Sequence, residues 1–441
     1  MNFKAMKLKT LELAPIAGKR VLLRVGYDIT LAKDGGSWVV PDDQRIRATI
    51  PTINYLIKKG CSLVIMGGWI GRPQPGVIEE QYKMDPIAKR LSMLIGKEVR
   101  KVDATVGAEV DAIVSRMKEG EILMLENTRF LKGEIEADPA LARQMARLGE
   151  CVVFDAFAQA HRMHASTTGI LENHPTTSFA GMLMEKEVRV LTQLLKSPLE
   201  PFVLVLGGAK VSDKIGMIRN VLDKAAIVLV GGALANPFFK AKGIHIGGSL
   251  SESAFVDEAK GKRVDPVEVA RAIIEKTKNT PVPLELAPDK WLTGEAFELA
   301  KIQLPFDVVV AKKREGGFND ETIKIEKVNG RKDLCAENEA ILDIGPVTQH
   351  IYSQITKRAR TIFWNGPMGL FENFDFSSGT KAVAEAIANS NGFSIIGGGD
   401  TEVVVTQFHL EGRFGHVSTG GGASLALLAG EEIPVLKYLV E

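Results

Sequence analysis

Glycine-rich turns and unusually placed arginines are the chemical features of this chain. Its second half carries Gly207-Gly208-Ala209-Lys210, Gly397-Gly398-Gly399-Asp400-Thr401 and Ser418-Thr419-Gly420-Gly421-Gly422. Its first half carries Arg45, Arg72, Arg129 and Arg162 close to apolar runs. Glycine lets backbone N–H groups approach a phosphate closely, and arginine grips phosphate or carboxylate through two parallel bonds. One half is suited to a nucleotide and the other to a small anion, which is the division expected for phosphoryl transfer between two ligands.

Each motif has its own chemistry. Gly207–Lys214 follows an apolar run, so Gly208 gives a tight turn while Lys210 and Lys214 can neutralise a phosphoryl group. Gly397, Gly398 and Gly399 free backbone donors, Asp400 is a carboxylate suited to Mg²⁺, and Thr401 either caps the next helix or meets phosphate. Asn365 and Glu372 lie in Trp364–Glu372, where Glu372 can accept from ribose hydroxyls and Trp364 reads as core. In the first half, Arg45, Arg72, Arg129, Arg162 and His164 form a candidate anion site. Taken singly, each of these arginines also reads as a surface ion-pair partner. The Gly-Lys pairs at 18–19, 96–97 and 261–262 are followed by Arg or Glu, which excludes the common P-loop.

The bulk composition narrows the class. At 441 residues, with 45% hydrophobic and 25% charged residues, the chain reads as a globular protein of two domains. A net charge of +1 gives no electrostatic case for nucleic acid or an anionic membrane. Cys61, Cys151 and Cys335 have neither zinc-like nor disulfide-framework spacing, and the first two read as buried thiols. No signal peptide or membrane-spanning stretch is legible, so a cytoplasmic location is expected.

The elements that must position these residues show as alternating patterns. Apolar runs at Arg20–Val25, Leu63–Met66, Glu121–Leu125, Cys151–Phe154, Phe202–Leu206, Ala226–Val230, Phe306–Val310, Thr361–Trp364 and Phe393–Ile396 read as buried parallel strands. Amphipathic stretches such as Met84–Leu94 and Pro139–Leu148 read as the helices between them. The fold expected is α/β, with two doubly wound parallel-sheet domains whose ligands sit at the carboxyl ends of the strands. Glu185–Leu195 reads as a coupling helix, and part of the proline-containing stretch 257–300 as an inserted surface subregion. The domains are expected at 1–184, 185–420 and a C-terminal segment 421–441.

In chain order, GRP at 71–73, LEN-RF at 125–130, AHR-HAST at 160–167, GGAKVSDKI at 207–215, DIGP at 343–346, WNGPMG-FE at 364–372, GGGDT at 397–401 and STGGGASL at 418–425 resemble the phosphoglycerate kinase family. The resemblance covers nearly the whole chain. It implies two Rossmann-like domains joined by a hinge helix, a C-terminal segment returning to the first domain, and a monomer acting in glycolysis. It implies ATP or ADP with Mg²⁺ on the second domain, and 3-phosphoglycerate, a small phosphorylated carboxylic acid, on the first. By matching motif, Arg45 and Lys210 would be catalytic, and Lys214 would meet nucleotide phosphate. Arg72, Arg129, Arg162 and His164 would frame the substrate phosphate. Asn365, Glu372, Asp400 and Thr401 would serve nucleotide and metal.

The chain departs from the family on the acid side. The usual R-V-D-F-N-V-P is Arg24-Val25-Gly26-Tyr27-Asp28-Ile29-Thr30, so Gly26 replaces an aspartate that grips the substrate hydroxyl. Trp69 stands where the pattern has a histidine, and the usual F-G-T-A-H-R is Phe157-Ala158-Gln159-Ala160-His161-Arg162. If the first strand runs past Val25, residues 26 and 28 share a face and Asp28 takes over the hydroxyl. Two alternatives follow: a related kinase for another carboxylate, or a nucleotide-binding protein without catalysis.

Overall fold

The protein, described from a computed structural model, has residues 6–257, 261–287 and 299–441 placed. It divides into two compact units, Met1–Thr192 with Glu431–Glu441, and Gln193–Gly430.

The first unit is built on six parallel strands in the spatial order Arg100–Lys101, Ile122–Met124, Ser62–Met66, Arg20–Val25, Cys151–Asp155 and Ser178–Ala180. The chain leaves Arg20–Val25 toward one side of the sheet and returns to pair Cys151–Asp155 on the other. That reversal falls at the carboxyl ends of the central strands, where doubly wound sheets bind ligands. Both faces are covered, so Val21, Leu22 and Leu23 are all fully buried. This double burial is why the strands read as continuous apolar runs in the sequence.

The second unit repeats the plan, with parallel strands in the order Ile302–Gln303, Ile227–Val230, Phe202–Leu206, Thr361–Asn365, Phe393–Gly397 and His416–Val417. Its reversal lies at Phe202–Leu206, between Ile227–Val230 and Thr361–Asn365. The α/β class with two parallel sheets is therefore the observed fold. Helix Met182–Lys196 carries the chain from the first unit into the second.

One expectation is corrected. The run Phe306–Val310 is not a parallel strand: Asp307–Arg314 is the middle of an antiparallel three-stranded sheet with Gly317–Lys327 and Glu339–Ile344. Its first residues are buried while Lys312 to Arg314 are exposed, so the apolar run marks burial and not strand direction. The stretch 257–300, part of which is expected as a surface subregion, also contains a packed helix. Helix Pro266–Thr277, capped by the Asp265 carboxylate at Val267 N–H (2.8 Å), buries Val269, Ala270 and Ile273 and leads toward the edge strand Ile302–Gln303. The parts of that expectation falling on 258–260 and 288–298 lie outside the described residues.

The chain's end folds into the first unit. Leu8 bridges Val440, Lys9 N–H donates to the Leu439 carbonyl (2.7 Å), and Ile433, Val435, Leu436 and Leu439 are buried. Helix Gly422–Ala429 instead buries Ala423, Leu427 and Leu428 within the second unit, so the return begins at Glu431. Among the described residues no helix is long and apolar enough to cross a membrane.

One buried acid ties a central strand to the connecting helix. Asp155 ends its strand fully buried, and its carboxylate accepts from Met184 N–H at 2.9 Å. Burial pushes its pKa up to about 7, against hydrogen bonds from Thr52, Met184 and Leu183 that pull it down. A carboxylate of the unfolded chain titrates near pH 4, so the folded chain holds an extra proton between roughly pH 4 and 7. Stability is therefore expected to fall as pH rises through that window and to level off above it. Asp155→Asn keeps the acceptor and removes the titration. Urea unfolding at pH 4.5 and pH 8 should show the variant gaining roughly 3–4 kcal/mol on wild type at the higher pH. An unchanged difference between the two proteins would contradict this account.

Candidate active site

In the first unit the site is assembled by loops leaving the carboxyl ends of neighbouring strands. Gly26 follows Arg20–Val25, Gly68-Trp69 follows Ser62–Met66, Asn127–Arg129 follows Ile122–Met124, and Gln159–His164 follows Cys151–Asp155. Arg129 lies in a short 3₁₀ turn opened by Asn127, whose side-chain oxygen accepts from Arg129 N–H at 3.0 Å. The Asn127 amide group in turn donates to the Ile70 and Tyr82 carbonyls at 2.9 Å, which locks this loop to its neighbour.

The electrostatics of this edge are one-sided. Burial lowers the pKa of Arg129, and the positive charges of Arg72 and Arg162 lower it further. Among the described residues no carboxylate lies within ion-pair distance of Arg72, Arg129 or Arg162. His164 and His161 are each pushed down to about 4, chiefly by burial and then by the neighbouring arginines, so both are neutral at pH 7. Glu134 and Asp28 oppose the lowering at Arg129 from beyond ion-pair distance, so positive charge is concentrated at this edge without a direct carboxylate partner.

Beneath it lies a buried layer that the sequence reading did not identify. Arg24 is fully buried, donates to the Ser166 carbonyl at 2.9 Å and to Gln159 Oε1 at 2.5 Å, and has its pKa lowered to about 10 by burial. Glu134 is equally buried and accepts from Ser166 N–H (3.0 Å), Ser166 Oγ (2.5 Å) and Thr128 Oγ1 (3.1 Å). Burial raises the Glu134 pKa in spite of Arg24 and these donors. No pattern in the sequence marks Glu134, because Ser166 and Arg24 reach it from distant segments.

Arg45 is in the first turn of helix Gln44–Lys58, and its Nη1 pairs with Asp28 Oδ1 at 3.0 Å. The idea that Asp28 shares a strand face with Gly26 is corrected, because the strand ends at Val25. Burial raises the Asp28 pKa while Arg45 opposes the rise. A Cβ on Gly26 would find Ala156 Cβ at 3.5 Å and Gln159 Cδ at 3.7 Å, so there is room for a first side-chain atom and none is present.

In the second unit, two loops approach backbone to backbone at the reversal point. Gly208 N–H donates to the Pro367 carbonyl at 2.7 Å and Gly207 N–H to Asn365 at 3.0 Å. Any Cβ on Gly207 would fall 2.0 Å from the Pro367 oxygen, and Gly366 has φ +90° with the Gly207 oxygen 2.5 Å from its would-be Cβ. Only glycine fits there. A cavity of about 650 Å³ opens beside these turns, with Gly208, Pro367, Glu372 and Asp400 in its walls. Of its other lining residues, Gly232, Lys313 and Phe318 escaped the motif reading, whereas Asp343 opens the DIGP string. The glycine pair after strand Ile227–Val230 and the DIGP string were the available signals.

The predicted nucleotide residues divide into two roles. Lys214 is buried beside Gly208, its pKa lowered by burial against Asp213, Asp400 and Glu252. Lys210 is exposed on the loop beyond it. Glu252 holds that loop, accepting from Val211 N–H (2.7 Å) and Ser212 N–H (3.0 Å). Gly397 ends its strand, while Gly398 and Gly399 open helix Gly399–Gln407, with Asp400 exposed in the first turn. Asn365 and Thr401 face inward. The Asn365 amide donates to the Gly397 carbonyl at 2.7 Å, and Thr401 Oγ1 accepts from Gly366 N–H at 2.8 Å. Thr401 is fully buried, so it braces the glycine loops, and the helix cap falls at Gly398 instead. Elsewhere, the one three-carboxylate group among the described residues, Asp85, Asp103 and Glu126, holds Lys101 Nζ, with Glu126 at 2.5 Å and Asp85 at 2.9 Å.

Such an arrangement is that of an α/β protein with arginines clustered at the strand ends of one unit and a glycine-walled cavity at those of the other. The family model described as phosphoglycerate kinase matches residues 11–431, and the chain belongs to that family. It is 41% identical to the phosphoglycerate kinase of Pseudothermotoga lettingae over 99% of both chains. It is 42% identical to that of Thermosipho africanus over 97% of both. Solved structures of phosphoglycerate kinases from Coxiella burnetii and Pyrococcus horikoshii superpose with TM-scores of 0.76, at 32% and 33% identity and 98% coverage of each chain.

The Thr401 brace gives a direct test. Thr401→Val leaves the buried Gly366 N–H without its acceptor and should cost about 1–3 kcal/mol in urea unfolding, whereas Thr401→Ser should cost much less. Equal stability of Thr401→Val and wild type would show that the loops are held some other way.

Proposed function

We propose that this chain transfers a phosphoryl group reversibly between ATP or ADP and the carboxylate of 3-phosphoglycerate, interconverting it with 1,3-bisphosphoglycerate, as in glycolysis. The observation that carries this reading is the set Arg72, Arg129 and Arg162, mutually repelling and without a carboxylate partner among the described residues. A phosphate dianion supplies the missing charge. Family membership over nearly the whole chain agrees, and relatives at 41–42% identity spanning both chains give no support to a different acid or a non-catalytic role.

In this mechanism Arg72, Arg129, Arg162 and neutral His164 hold the substrate phosphate. Arg45 would leave or share Asp28 to meet the substrate carboxylate, and Asp28 would then be free to accept the substrate hydroxyl where Gly26 offers no acceptor. The carboxylate oxygen attacks the γ-phosphorus as the bond to the ADP oxygen breaks. A carboxylate is already an anion, so no general base is needed, and catalysis rests on positioning and charge stabilisation. Lys210 would stabilise the moving group, and Lys214, Gly208 and the 397–399 turn would hold the nucleotide phosphates, with Glu372 toward the ribose. Asp400, an exposed carboxylate in the wall of the cavity, fits a hard divalent cation. Mg²⁺ there would neutralise triphosphate charge. Direct transfer requires the two ligands to meet, and helix Met182–Lys196 is the proposed hinge between the units that carry them. A cytoplasmic, monomeric enzyme completes the proposal.

With Mg·ATP and 3-phosphoglycerate, wild type should release ADP only when both are present. Arg45→Ala should lower kcat by about 10²–10³, as loss of one transition-state charge contact does elsewhere, with the KM for ATP little changed. No acid-dependent turnover in wild type, or full activity in Arg45→Ala, would overturn the assignment.

A further inference from the structure

Trp69 is 6% exposed in the loop after strand Ser62–Met66, and three cationic or ionisable side chains meet its ring. The Arg129 guanidinium carbon lies 4.7 Å from the ring centroid and that of Arg24 lies 5.4 Å away. The His164 ring is 4.7 Å away and tilted by 43°. A guanidinium above an indole face is attracted by the negative charge of that face, more strongly where water is excluded. Arg129 needs such a contact. Two like charges, Arg72 and Arg162, push against it, and no described carboxylate lies within ion-pair distance to hold it. Among the described residues its side chain makes one hydrogen bond, from Nη1 to the Gly71 carbonyl, and its buried Nε has no partner. An arginine held only at one nitrogen would swing toward solvent.

We propose that Trp69 is a positioning residue for the acid substrate: its indole face holds the Arg129 guanidinium in the orientation that grips the substrate phosphate. This rests on reading the arginine cluster as the acid site. Trp69 touches no reacting atom in this account and acts through Arg129. It therefore sets affinity for the phosphorylated acid and leaves the rate of transfer alone.

The test compares wild type, Trp69→Phe, Trp69→Leu, Arg129→Ala and the double variant Trp69→Leu/Arg129→Ala, with Mg·ATP and 3-phosphoglycerate. Trp69→Leu should raise the KM for 3-phosphoglycerate about tenfold, with kcat and the KM for ATP unchanged. Trp69→Phe, which retains an aromatic face, should recover most of that loss. In the Arg129→Ala background Trp69→Leu should add nothing further. Equal losses for Phe and Leu, additive losses in the double variant, or a fall in kcat would overturn the proposal. A second readout does not depend on the Leu variant folding. Adding inorganic phosphate or 3-phosphoglycerate should change the Trp69 emission, taken as wild type minus Trp69→Phe, and an unchanged difference would contradict the proposal. Wild type that responds to phosphate in fluorescence but does not turn over 3-phosphoglycerate would count against the acid assignment and leave the role of Trp69 supported.

Discussion

Arg72 and Arg162 repel Arg129 at the carboxyl edge of the first sheet, where no described carboxylate lies within ion-pair distance of the three and Glu134 and Asp28 oppose the repulsion from further off. The cost of concentrating like charge is met by the surroundings. Strand ends in register at Val25, Met66, Met124 and Asp155 deliver the loops to one edge. Buried Glu134, tied to Ser166 and Thr128, balances Arg24 from below, and Arg24 in turn anchors Gln159. The same field, together with burial, strips the proton from His161 and His164. On the proposed reading, an anion arriving at this edge would relieve repulsion already built into the fold.

The second unit solves a different problem with backbone rather than charge. Its loops carry few fixed cations, and the chain approaches itself so closely at Gly207 and Gly366 that side chains are excluded. Asn365 and Thr401 then hold the glycine turns from behind. A surface of this kind offers N–H groups and space to a polyphosphate, with Lys214 held close by in a partly desolvated state.

Much of this was legible in the sequence for a clear reason. Strands buried on both faces leave unbroken apolar runs, and ligand loops in parallel sheets must follow them, so Gly208, Arg129 and Asp400 could be placed at strand ends from order alone. What escaped was set by contacts between distant segments. Glu134 has no distinguishing neighbours in sequence, and its role exists only because Ser166 and Arg24 fold over it. Phe306–Val310 shares the composition of the parallel strands, and only its pairing with Gly317–Lys327 makes it antiparallel. Thr401 reads as a helix cap or a phosphate contact, whereas its hydroxyl accepts from Gly366 N–H. The departures at Gly26, Asp28 and Trp69 were visible as residue changes. Their consequences required geometry, which places Asp28 on Arg45 and Trp69 beneath Arg129.

The central claim is that the cationic edge and the glycine crevice serve the two partners of one phosphoryl transfer. Its most direct test is ATP synthesis from ADP and 1,3-bisphosphoglycerate generated in the assay, followed by luminescence with Mg²⁺ present. The account predicts rapid, enzyme-dependent ATP formation that ceases when either ligand is omitted. ATP formation no faster than in the absence of the protein, with both ligands bound, would contradict it.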